Sequence, residues 1–80
     1  MATLPLSFLS PGTEATVADV RAGHAMLQRL SAMGIRSGNR VGVVCADRGS
    51  LIVSVAGTRY AISHGMAMKI LVGVNAAGVP

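Results

Sequence analysis

Leu30-Ser31-Ala32-Met33-Gly34-Ile35-Arg36-Ser37-Gly38 divides the chain into two kinds of periodicity. Leading into it, Met26, Leu27, Leu30 and Met33 recur at helical spacing up to Gly34, with Gln28, Arg29 and Ser31 on the other side. That pattern predicts an amphipathic helix of about three turns. After it, the Val-rich run from Arg40 to Ala46 reads as a strand. Gly34 stands where a helix ending at Met33 needs a residue tolerant of the left-handed conformation, and Gly38 marks the turn that launches the strand. The stretch is a joint with no evident chemistry of its own, which suits a small binding module better than an enzyme.

Working outward, Leu4, Leu6, Phe8 and Leu9 form an apolar patch, expected to plug one end of the core and closed by the turn Ser10-Pro11-Gly12. Thr13 to Val20 reads as a strand through Ala15, Thr16 and Val17. Downstream of the joint, Asp47-Arg48-Gly49-Ser50 turns the chain into Leu51 to Val55, and Ala56-Gly57-Thr58 turns it again into Arg59 to Ile62. Ser63 to Met68 suits a single helical turn, and Lys69 to Val74 supplies a last strand with Ile70, Val72 and Val74 on one face. The fold expected is mainly β, a small bent barrel of about five strands with one inserted α-helix, closed so that no sheet edge is left open. One domain over residues 1–75 accounts for this pattern, with 76–80 as a flexible tail.

Size sets further bounds. A chain of 80 residues has room for one core and about 4,500 Å² of surface, so a standard contact of about 800 Å² per partner engages nearly a fifth of it. Phe8 and Tyr60 are the only aromatic residues and Trp is absent, which leaves little for base stacking and counts against single-stranded nucleic-acid binding. The net charge of +4 reflects scarce acids, Glu14, Asp19 and Asp47, as much as the scattered arginines. An evenly basic surface suits an acidic partner, anionic lipid or RNA. Cys45 is the only cysteine, so no internal disulfide and no CxxC motif can form, and a reducing cytoplasm is the expected setting. No signal-peptide pattern opens the chain, and no apolar run approaches the ~20 residues of a spanning helix.

The candidate chemistry is sparse. His24 at the helix start and His64 before the last strand could each offer an imidazole to a transition metal, but isolated histidines more often face solvent. Cys45 in a strand is expected to be a small buried hydrophobe. Met26 and Met33 share the helix's apolar stripe and read as core packing, ahead of a thioether site for a soft metal. No serine has a readable His and carboxylate set, and no GxxxxGK[ST] phosphate loop is present. Arg29, on the outward helix face, and Arg36, in the joint, are the basic residues best placed for a partner; Ile35 between them would anchor a partner or cap the core.

Taken in order, these features resemble the FeoA family of small proteins linked to bacterial ferrous iron uptake. The likeness runs from Leu4/Leu6/Leu9 with Pro11-Gly12 through Ala15-Thr16-Val17 and the joint to Val41 and Val43. It continues with Val53-Ser54-Val55-Ala56-Gly57, Tyr60-Ala61-Ile62 and Ala67-Met68-Lys69-Ile70-Leu71-Val72. Leu is common in that family where Met33 stands, and Pro where Ser37 stands. The resemblance implies an SH3-like barrel and a non-enzymatic accessory protein. Such a protein would bind the cytoplasmic part of a FeoB-type GTPase-linked iron transporter and modulate its assembly or activity. The partner face would comprise Arg29, Met33, Gly34, Ile35 and Arg36. It would need no cofactor, with weak iron or zinc binding at His24 and His64 the only metal role considered, and it would lie in the cytoplasm, reaching the membrane's inner face through its partner. Self-association is left open. Two other classes compete: a basic barrel that binds nucleic acid and a transition-metal sensor. A related domain closes some iron-dependent repressors behind a helix-turn-helix, which the sequence here does not contain, so a free-standing module is expected.

Overall fold

The structure, a computed structural model, describes residues 2–74. The chain forms β1 (Ala2–Pro5), a 3-10 turn (Leu6–Phe8), β2 (Glu14–Val20), α1 (His24–Ala32) and β3 (Arg40–Asp47). There follow β4 (Ser50–Val55), β5 (Thr58–Ser63), α2 (His64–Ala67) and β6 (Ile70–Val74). All pairings are antiparallel, in one six-stranded sheet of order β1-β6-β2-β3-β4-β5. The mainly β reading with an inserted helix therefore holds, with one strand more than expected.

The additional strand is β1. Its sequence, Ala-Thr-Leu-Pro, lacks the alternation that marks a half-buried strand, and Pro5 argues against a central one. Among the described residues it pairs with β6 alone, where an edge position tolerates a residue without an N–H. Among the described residues β1 and β5 are the two ends of the ladder, so the barrel is strongly bent without a strand pairing between them. Curvature comes from register shifts in β2 between Val17 and Asp19 and in β3 between Val43 and Cys45.

One core fills the concave side. Leu6, Val17, Leu30, Ile35, Val41, Val53, Ile70 and Val72 are its largest fully buried side chains, and Ala67 of α2 joins them. In β4, Leu51, Val53 and Val55 point inward in strict alternation, as the sequence implied. Two expectations fail. In the N-terminal patch, Leu6 is buried and Leu4 and Leu9 pack half-buried against the core, but Phe8 is 66% exposed. Cys45 is exposed too, although alternation from Val41 and Val43 would bury it. The shift after Val43 inserts an extra residue and turns Cys45 outward. The expected flexible tail, 76–80, lies outside the described residues.

Candidate functional site

The joint is built as the sequence required and is tied down on three sides. Gly34 has φ +88° and follows the last helical turn. Its N–H donates to Ser31 O at 2.9 Å, and the Ile35 N–H donates to Leu30 O at 2.9 Å. These bonds satisfy carbonyls that a helix end leaves without partners, while Leu30 and Ile35 close over them inside the core. A Cβ on Gly34 would stand 3.0 Å from Val55 Cγ1. Further along, the Gly38 N–H donates to Val17 O and the Val17 N–H to Asn39 O, both at 2.8 Å. Ser37 Oγ donates to Ala18 O at 3.1 Å, within the irregular part of β2. The joint is thus hydrogen-bonded to the sheet where β2 departs from regular pairing.

A groove opens on each side of this fixed loop, and Arg36 lines both. The first, about 480 Å³, runs between α1 and the end of β2; it is mostly apolar, with Leu27 and Ile35 in its wall and Asp19 and His24 at its rim. The second, about 520 Å³, lies between the joint and the β4–β5 hairpin; Met33, Gly34, Asn39, Arg40, Ala56 and Tyr60 contribute to it. Asn39 Nδ2 donates to Gly34 O at 2.8 Å, so this carbonyl is already engaged. Arg40 pairs with Glu14 at 3.0 Å, and Arg21 with Asp19 at 3.5 Å; Arg36 takes part in neither of the two ion pairs found among the described residues.

Of the five residues expected to form a partner face, the structure brings Met33, Gly34 and Arg36 to the second groove and Ile35 and Arg36 to the first. Arg29 is exposed on α1 but lines neither. Ile35 is 1% exposed and is a core residue, so its role is to fix the joint and not to enter a partner as an anchor. Sequence reasoning missed Asn39, Arg40, Ala56 and Tyr60. One signal was available at Ala56. The loop between the register partners Val55 and Thr58 has two residues, Ala56 at φ +51° and Gly57 at φ +84°. A turn with two positive φ values favours Asn-Gly or Asp-Gly, so Ala56 is an unusual choice.

His24 opens α1 and His64 opens α2, two separate elements. Among the described residues no three His, Cys, Asp or Glu side chains stand together to hold an ion. No described helix is long and apolar enough to cross a membrane.

A six-stranded, strongly bent antiparallel sheet with a helix between its second and third strands defines a small SH3-like barrel whose distinctive surface is the α1–β3 joint. The FeoA domain matches residues 4–74, and the chain belongs to the FeoA family. It is 41% identical over 68 residues to a Methanocaldococcus jannaschii protein named for Fe(2+) transport, covering 85% of this chain and 83% of that one. Its fold is similar to a crystal structure of an iron uptake regulatory protein, FeoA, with TM-score 0.84, 34% identity and coverage of 91% and 97% of the two chains. It is also similar to Stenotrophomonas maltophilia FeoA, solved with zinc and described as a procaryotic SH3 domain protein, with TM-score 0.77, 30% identity and coverage of 88% and 89%. A manganese-dependent transcriptional repressor shares the fold, with TM-score 0.84 at 22% identity, over 41% of its length.

Proposed function

We propose that this protein is a non-enzymatic accessory factor of ferrous iron uptake that binds the cytoplasmic part of a FeoB-type GTPase-linked transporter through its joint face and modulates the transporter's assembly or activity. Family membership supports the iron-uptake setting. The observation that carries the binding mode is the joint: a loop locked by Gly34 and Gly38, flanked by two open grooves, with an exposed Arg36 between them. A preformed surface loses little conformational freedom when it docks, which favours recognition by a small module. Iron in this reading is cargo of the partner and not a ligand of the barrel.

Co-purification with the transporter's cytoplasmic part tests the reading. Arg36→Glu should reduce retention about tenfold or more, since a charge reversal at a docking face opposes complementary charge. Arg48→Glu, in the β3–β4 turn and outside both grooves, should leave it within about twofold, as expected of a distant surface site. Ferrous iron uptake should follow the same order. Equal retention of the two variants would remove the joint from the interface, and no retention of the unmodified protein would remove the transporter as its partner.

A further inference from the structure

The groove between the joint and the β4–β5 hairpin differs from the rest of the surface in three respects. It is the groove that holds two guanidinium groups, Arg36 and Arg40. Arg36 has no carboxylate partner among the described residues, and Arg40 gives one hydrogen bond to Glu14 in an exposed pair, with further N–H donors on its fork. The groove also has an apolar wall, from half-buried Met33 and Tyr60 and the methyl of Ala56. Finally, the Gly34 carbonyl beside the groove already accepts from both the Asn39 amide and the Arg36 N–H.

Ala56 adds an independent observation. The hairpin loop would be better served by Asn or Asp at its first position, yet it holds Ala at φ +51°. Asp would add a carboxylate to a groove that Arg36 and Arg40 also line, and its charge would compete with an incoming anion. Ala brings no charge of its own to that wall. A locally unfavourable residue at a groove wall is where function and turn preference are expected to conflict.

From these features we infer that the joint–hairpin groove receives an acidic segment of a protein partner, an Asp or Glu carboxylate bridging Arg36 and Arg40 while a neighbouring apolar side chain rests on Met33 and Tyr60. Planar guanidinium forks match carboxylates in bidentate geometry. A nucleic-acid strand fits less well, because tracking a phosphate backbone takes a row of cations and stacking surfaces, and this groove has two arginines and one half-buried tyrosine. The inference deepens the binding role proposed above by specifying the chemistry of the partner at this face.

The test uses the full chain, immobilised, against a displayed library of random dodecapeptides, with the recovered peptides then measured in solution. Peptides carrying Asp or Glu next to an apolar residue should be enriched. Arg36→Ala should weaken them about tenfold or more, the usual effect of losing a charged hydrogen bond. Ala56→Asp should weaken them comparably while raising or preserving the melting temperature, because Asp-Gly favours this turn, and Ala56→Asn should stay within about threefold. Recovery of no peptides, of peptides without acid enrichment, or of peptides that bind Ala56→Asp undiminished would overturn the inference. So would a fluorescent oligothymidine that binds more tightly than the peptides and displaces them. The same variants against the transporter's cytoplasmic part separate the two ideas. If the unmodified protein binds and Ala56→Asp binds equally, the groove assignment falls and the accessory role stands. If the transporter does not bind at all, the accessory role falls and the peptide result alone decides the groove.

Discussion

The two ends of α1 are built on opposite principles. At the entry, Gly23 offers no side chain to cap the first turn, no acid sits there to complement the helix dipole, and His24, Ala25, Leu27 and Gln28 are all exposed. At the exit, two backbone hydrogen bonds close over Gly34, Leu30 and Ile35 are buried, and Arg29 places a positive charge in the last turn. Leu30 is the one fully buried residue of the helix. The helix is therefore positioned by the way it leaves, and the proposed binding face lies at that rigid end. A short helix need not be well anchored throughout, provided the end that shapes the surface is fixed.

Breaking the exit should cost far more than changing the entry. Leu30→Ala, which removes the only side chain of α1 that reaches fully into the core, should destabilise the protein by about 3 kcal/mol in urea unfolding. Leu27→Ala, at a residue 39% exposed, should cost about 0.5 kcal/mol or less. If both changes proved equally mild, the helix would be held by something other than its exit. Next in size is Gly34→Ala: a positive φ and a Cβ pressed to 3.0 Å from Val55 Cγ1 together predict a loss of about 2 kcal/mol. Amide exchange should rise around Gly38 and Val17 in that variant. The smallest effect has the opposite sign. Gly23→Ser supplies the absent cap where a Cβ meets nothing within 4 Å, and should gain a few tenths of a kcal/mol, visible as a slightly higher urea midpoint. A loss there would show that the entry is constrained in a way its contacts do not reveal.

Reading these elements from sequence succeeded where one residue type has one physical use. Gly34 and Gly38 both adopt positive φ, as their spacing after an apolar stripe implied, and the alternation of Leu51, Val53 and Val55 gave the buried face of β4 directly. Cys45 was misplaced because a single irregularity after Val43 reverses which side every later residue faces, and no residue type announces it. β1 escaped notice because an edge strand needs little pattern and tolerates Pro5. The candidate site was half legible. Arg36 stands out in the joint itself, but Arg40, Ala56 and Tyr60 reach the same groove from β3, the hairpin loop and β5, and only the folded sheet brings them together.

Ala2 and Val74 are register partners at one margin of the sheet, so the first and last described strands begin and finish side by side. A tether fixed at that corner would hold the barrel by a single point and leave it free to swivel. Splicing the unit spanning these strands between other segments would leave its strand pairings in place, and a short linker from Val74 to Ala2 should permit the chain to be opened at Arg48-Gly49 instead. Modularity of this kind is a property of how the strands are ordered, separate from whatever the surface recognises.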